Sequence, residues 1–150
     1  MAEVILKEVT KDFGKSTVIN DVSIKINEGD FCVIVGPSGC GKSTLLRIIA
    51  GLEIPTNGSI IINSKDVTTV DPANRGIGMV FQNYALYPHM TVEENMSFGL
   101  RMNNAPKTKI NKKVGEAAKI LQLTELMKRK PASLSGGQRQ RVAIGRAIVK

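Results

Sequence analysis

Eight consecutive residues, Gly36-Pro37-Ser38-Gly39-Cys40-Gly41-Lys42-Ser43, follow the order G-x-x-x-x-G-K-[ST]. The pattern suits a polyphosphate. A tight loop can surround a multiply charged anion with backbone N–H groups, and glycines let that backbone approach closely and reach positive φ. The loop is followed by residues that read as a helix start, whose unpaired N–H groups and positive dipole end also favour anions. In such a site Lys42 reaches the β- and γ-phosphates, the Ser43 hydroxyl binds Mg²⁺, and Thr44 adds a bond to the α-phosphate. In a chain of 150 residues the pattern arises by chance on the order of once in a few hundred sequences.

A second stretch, Leu134-Ser135-Gly136-Gly137-Gln138-Arg139-Gln140-Arg141, places a hydroxyl before two glycines at another helix start. Ser135 is a good N-cap, and the bare amides of Gly136 and Gly137 make a further anion site. Taken alone, an ordinary capped helix and a binding site remain equally open for this stretch.

The elements that must position these residues can be read from periodicity. Val4-Ile5-Leu6 reads as a first strand, and Val22, Ile24 and Ile26 alternate with Ser23 and Lys25 as in a half-buried strand. Phe31 to Val35 is a continuous apolar run, the pattern of a strand buried on both faces. The loop comes next, then a helix from Lys42 to Ala50 closed by Gly51. Pro55-Thr56-Asn57-Gly58 is a turn, Ser59 to Ile62 reads as a strand leaving it, and Ile77 to Phe81 reads as another. Thr91-Val92-Glu93-Glu94 is a capping box. Ile110, Val114, Ala117, Ala118 and Leu121 recur at helical spacing, Pro131 ends that stretch, and Val142, Ala143 and Ile148 mark a last helix running to the final residue. Strands first and an inserted helical stretch later give an α/β core with a helical subdomain.

Composition bounds the rest. Apolar residues make up 42% and charged residues 23%, which allows a folded core. No apolar run reaches the ~18–20 residues a membrane span needs, and Glu3, Lys7 and Glu8 exclude a signal peptide reading of the start. Two cysteines, Cys32 and Cys40, form no CxxC pair and read as reduced thiols. The net charge of +8 gathers between Arg101 and Lys130. No aromatics interleave there, so a solvated helical face is the preferred reading over a nucleic-acid surface.

Together the glycine loop, Gln82 and the Leu134–Gln138 stretch make the chain similar to the ATP-binding subunit of an ABC transporter. Leu134-Ser135-Gly136-Gly137-Gln138 resembles that family's signature sequence and Gln82 its Q-loop glutamine, and the resemblance runs from Val4 to the end. Val35 to Glu53 and Gly78 to Leu100 look closest to the importers of maltodextrins and glycerol-3-phosphate. The resemblance implies an α/β P-loop NTPase core with an antiparallel β subdomain and a helical insert. The expected division is a core over residues 1–90, a helical subdomain over 91–131, and the signature with its helix over 132–150. It further implies ATP and Mg²⁺ as cofactors and ATP hydrolysis coupled to uptake of a solute, a carbohydrate by the closer likeness. Lys42 and Gln82 take part in the chemistry, with Gln82 sensing the γ-phosphate and Mg²⁺ beside Ser43. Gly36, Pro37, Ser38, Gly39, Cys40, Gly41, Lys42, Ser43 and Thr44 hold the phosphates. Phe13 stacks on adenine, and Val18 contributes to the same pocket. Ser135, Gly136, Gly137 and Gln138 face the nucleotide of a second subunit, so that two copies close on two ATP molecules.

The resemblance also implies integral membrane permease subunits as partners, docked near Tyr84, Tyr87 and Pro88, and a solute-binding protein reached indirectly. It implies no nucleic acid, and a place on the cytoplasmic face of the cell membrane. His89 does not match the family's γ-phosphate-sensing histidine and reads as structural or surface. The family's Mg²⁺-supporting aspartate, its water-polarising glutamate and that histidine would all fall beyond residue 150. The 150-residue chain taken literally is therefore expected to be an incomplete ABC ATPase fold, deficient in hydrolysis and loosely packed. Two other readings stay open: a degenerate nucleotide-binding fragment without catalysis, and a non-transport ABC ATPase.

Overall fold

The computed structural model describes residues 2–149. The chain forms two compact units, Met1–Ile77 and Gly78–Lys150, so the segment 78–90 belongs with the helices that follow it.

The first unit is built on four strands: β1 Val4–Phe13, β2 Ser16–Ile26, β3 Asn57–Ile62 and β4 Lys65–Asp66. They form one antiparallel sheet in the order β2-β1-β3-β4. Gly14 at φ 60 turns β1 into β2, and Leu6 stands opposite Ile24 on one side and Ile60 on the other. Alternation puts Leu6, Ile60 and Ile62 on one face, and the register shift after Leu6 returns Val9 to it. Helix α1, Lys42–Ala50, lays Leu45 and Ile48 against that face. Burying these aliphatic side chains contributes about 1.5–3 kcal/mol each. α1 ends in a Schellman turn: Gly51 at φ 80 donates its N–H to Ile48 O, and Leu52 N–H donates to Arg47 O.

The strand expected at Phe31–Val35 is absent. The segment makes no ladder with any described strand, and Phe31, Val33 and Val35 are 93%, 63% and 84% exposed. A strand buried on both faces needs neighbours along both edges, and the antiparallel sheet of this unit offers none. Ile77–Phe81, also expected as a strand, does not form one.

The second unit packs α2 Val92–Met102, α3 Lys107–Ile120 and α4 Gly136–Ile148 around Val92, Met96, Leu100, Val114, Ala117, Leu123 and Val142. α2 opens with the expected capping box, Thr91 Oγ1 accepting from Glu94 N–H and Glu94 Oε2 accepting from Thr91 N–H. α4 and α2 meet so closely that a methyl group on Gly145 would stand 2.7 Å from Met96 Cε. α4 ends at Ile148, and Lys150, to which the last helix was expected to run, lies outside the described residues.

Candidate functional site

The loop Gly36–Gly41 enters α1 through Gly41, whose φ of 93 opens space no other residue takes without strain. A Cβ there would lie 2.6 Å from Ile19 Cδ1 and 2.8 Å from Val18 O, so β2 forms the wall against which the loop turns. α1 has no side-chain cap at its N-terminus and no acidic residue in its first turn. Its first amides and its positive dipole end are therefore left for an anion. The Lys42 ammonium reaches back across the loop and donates to Gly36 O at 2.8 Å and Pro37 O at 2.6 Å, with Cys40 Sγ at 3.6 Å. The cation thus sits over the loop it is meant to serve. Ser38 and Ser43 are exposed and Thr44 is half-buried.

Phe13 and Val18 lie near the same end of the β1–β2 hairpin, where Phe13 pairs with Ser16 and Asp12 with Thr17. Val18 touches the loop through the contacts just described. Phe13 is 48% exposed, and the Lys11 ammonium lies 4.9 Å from its ring centroid. Lys11 in turn is tied to Glu53 Oε1 and to Ile54 O, both at 2.8 Å. The structure therefore places Val18 against the loop, and Phe13 at the same end of the β1–β2 hairpin, all on the first unit. A cavity of about 480 Å³ below the loop is lined by Phe31, Val33, Ile34 and Leu46 as well as Lys42 and Ser43. Most of that lining is apolar.

Gln82 and the residues 135–138 belong to the second unit. Gln82 is exposed in a turn closed by Tyr84 N–H donating to Phe81 O at 2.9 Å. Ser135 caps α4 in a reciprocal box: its Oγ accepts from Gln138 N–H at 3.3 Å, and Gln138 Oε1 accepts from Ser135 N–H at 2.8 Å. The hydroxyl keeps its own hydrogen for another acceptor. Gly136 and Gly137 are exposed, with nothing within 4 Å of an added Cβ.

A family model described as ABC transporter matches residues 19–150. The chain belongs to that family. Among curated relatives it is 58% identical over 149 residues to the maltose/maltodextrin import ATP-binding protein MalK of Escherichia coli (strain K12), covering 99% of this chain and 40% of that one. It is 57% identical over 150 residues to the sn-glycerol-3-phosphate import ATP-binding protein UgpC of Ruegeria sp. (strain TM1040), covering 100% of this chain and 43% of the relative. The chain thus spans well under half the length of the curated relatives it matches. Among solved structures it is similar to a dimeric bacterial ABC transporter cassette, with TM-score 0.87, 37% identity, and coverage of 97% of this chain and 69% of that one. A nucleotide-free ATP-binding cassette from an ABC transporter gives TM-score 0.86, 32% identity, and coverage of 99% and 65%. The fold is that of the ABC ATPase cassettes, with its antiparallel β sheet and helical insert.

Which groups of this ABC chain fit Mg²⁺ follows from donor chemistry. Among the described residues no three His, Cys, Asp or Glu side chains gather to hold a metal. A Mg²⁺ ion that is carried mainly by substrate phosphates and water needs only one or two protein oxygens. The exposed Ser43 hydroxyl at the start of α1 suits that role, and the Gln82 amide carbonyl is an oxygen of the right kind.

Two arginines escaped the sequence reading. Arg75 is 5% exposed and donates to backbone carbonyls. Its Nε donates to Val70 O, Nη1 to Ile48 O and Ile49 O, and Nη2 to Thr68 O, all between 2.9 and 3.1 Å. Burial pushes its pKa down, yet a guanidinium starts so high that it stays charged. It binds the negative C-terminal end of α1 and clasps the loop's helix to the β3–β4 side of the unit. Arg146 does comparable work near Gln82. Neither has a periodic signal, because each binds backbone carbonyls, some of them far away in the chain. Asn95 could have been found: it is fully buried on the apolar face of α2, a polar residue in a core position.

Proposed function

We propose that the chain is the ATP-binding part of an ABC import system, coupling ATP binding and hydrolysis to uptake of a solute, by its likeness to the relatives just described a carbohydrate, through a membrane permease. The observation that carries the reading is the uncapped, acid-free start of α1, entered through Gly41 and spanned by Lys42. Amides from the loop Gly36, Pro37, Ser38, Gly39, Cys40 and Gly41 receive the phosphates. Lys42 exchanges its two carbonyl partners for β- and γ-phosphate oxygens, which puts anionic acceptors in place of neutral ones. The Ser43 hydroxyl carries Mg²⁺ together with Gln82, and Thr44 bonds the α-phosphate. Phe13 stacks on the base, and Val18 lines its pocket. Mg²⁺, when bound, neutralises charge building on the transferred phosphoryl group.

In this reading Ser135, Gly136, Gly137 and Gln138 take the γ-phosphate of a second copy, the Ser135 hydroxyl donating the hydrogen its cap leaves free. ATP then joins two subunits, and Tyr84, Tyr87 and Pro88 meet the permease. The working place of the protein is the cytoplasmic face of the cell membrane.

The test is nucleotide binding to wild type and Lys42→Ala, read with a fluorescent ATP analogue. Loss of a charge-assisted contact of ~1.5–3 kcal/mol weakens binding at least about tenfold. Equal affinities for the two proteins would reject the assignment.

A further inference from the structure

We propose that Arg146 is a positioning residue that locks the turn carrying Gln82 onto the helix that begins at Ser135. The proposal rests on the reading of Gln82 and Ser135 just given, and deepens it by naming what connects them.

The turn is costly by itself. Tyr84 and Ala85 are consecutive non-glycine residues at φ 62 and 45, a conformation that persists only where surrounding groups over-determine it. Arg146 supplies the determination. Its Nη1 donates to Ala85 O at 2.6 Å and its Nη2 to Tyr84 O at 3.0 Å. A guanidinium presents its donors in a fixed planar fork, so two adjacent carbonyls are held in one relative orientation. The same group lies 5.8 Å from the Tyr87 ring centroid. Among the described residues it forms no ion pair, and its two hydrogen bonds to the turn are what hold it.

The anchor behind the fork is rigid. Gly145 lets α4 close onto Met96 of α2. On the other side of the turn, Asn95 of α2 accepts from Tyr87 N–H at 2.8 Å and donates to Tyr87 O, Met90 O and Thr91 O. The Tyr87 ring rests 4.6 Å from that of Phe98. The turn is thus held from α2 and from α4 at once. Ser135 and Arg146 stand on one continuous helix, about 16 Å apart along its axis. A helix of this length moves as a rod. A force on the Ser135 end from a bound phosphate therefore reaches Tyr84 and Ala85 through Arg146, and Gln82 is in the same turn.

The experiment is amide hydrogen exchange on the whole protein, wild type against Arg146→Met and Arg146→Lys, without nucleotide and then with a non-hydrolysable ATP analogue and Mg²⁺. Without nucleotide, Arg146→Met is expected to speed exchange of the Tyr84 and Tyr87 amides by at least about tenfold. The Arg139 amide, bonded to Ser135 O within α4, keeps its rate. Arg146→Lys, which can hold one carbonyl but not the fork, falls between. Adding Ala85→Gly to Arg146→Met should recover protection, because glycine adopts positive φ without strain. With nucleotide, wild type should show slower exchange at Tyr84 and Tyr87. Arg146→Met should bind the analogue with unchanged affinity yet show no such slowing. Unchanged turn exchange in Arg146→Met overturns the proposal, and so does loss of protection spread evenly along α4. Should Arg146→Met not fold, Arg146→Lys carries the same comparison. Should wild type bind no nucleotide at all, the functional reading fails while the nucleotide-free comparison still decides whether Arg146 holds the turn.

Discussion

Two helix starts in this chain have the same apparent purpose and opposite construction. α1 is entered through a left-handed glycine with no side-chain cap, and the Lys42 ammonium lies across the loop on the carbonyls of Gly36 and Pro37. α4 is entered through Ser135 and is closed by a reciprocal box with Gln138. The first start gives up stability to keep its amides free for a ligand. The second is satisfied without any ligand and offers one hydroxyl hydrogen and two bare glycines. A loop built in the first way depends on its conformation, whereas a start built in the second depends on its side chains.

The sharpest way to break the contrast is Gly41→Ala. The backbone strain of a non-glycine residue at this φ costs about 1–3 kcal/mol, and the new methyl group would press on Val18 O, which is backbone and cannot swing aside. A thermal melt followed by a probe on the first unit should drop by roughly 2–4 °C for each kcal/mol lost. Nucleotide binding should fall with it, since the loop cannot keep its shape. A variant that melts like wild type and binds equally well would mean that loop conformation is not what keeps α1 open.

Ser135→Ala should do less. Removing an N-cap hydroxyl costs about 0.5–2 kcal/mol, and Gln138 can still accept from the backbone amide at position 135. Circular dichroism under urea should show this modest loss, while nucleotide binding at the Lys42 loop stays at the wild-type level. A fall in that binding comparable to the one expected for Gly41→Ala would erase the distinction between the two starts.

What the sequence made legible was local. The α1 helix and its Gly51 stop, the Thr91–Glu94 capping box, and the strands around Leu6, Ile24 and Ile60 follow from spacings of two, three or four residues. The P-loop pattern and the Ser135 cap were found in the same way. The failures share a cause of the opposite kind. Phe31–Val35 has the composition of a buried strand, but a strand exists only in a ladder, and no described strand pairs with it. The two-residue strand Lys65–Asp66 is polar and too short to show a period. Arg75 reaches Ile48 and Ile49 carbonyls 27 and 26 residues away, besides two nearer ones, and Arg146 reaches carbonyls 61 and 62 residues away, and nothing in their immediate neighbours separates them from arginines on a solvated surface. The positive φ of Tyr84 and Ala85 was hidden for the same reason, because the residues that impose it are on other helices.

A third helix start refines the comparison through pH. α2 opens with the same reciprocal box as α4, but its distal partner is Glu94 in place of Gln138. The Glu94 carboxylate accepts from the Thr91 backbone N–H at 2.7 Å. That bond is the largest cause holding its pKa below the ordinary carboxylate value, with the Thr91 side chain and the charges of Arg101 and Lys130 adding to it. A group whose pKa is lowered by folding adds stability that is present above its unfolded pKa and lost as pH falls through the folded one. Acidification through and below the ordinary carboxylate range should therefore loosen the start of α2. Gln138 does not titrate, so the start of α4 should keep its protection over the same range. Exchange rates of the Glu94 and Gln138 amides, each corrected for the intrinsic pH dependence of exchange, measure the two boxes side by side. Glu94→Gln should abolish the difference, since it turns the α2 box into the uncharged kind found at α4. If both amides lose protection together in wild type, then the acid sensitivity belongs to the unit as a whole and the charge in the α2 box has no separate effect.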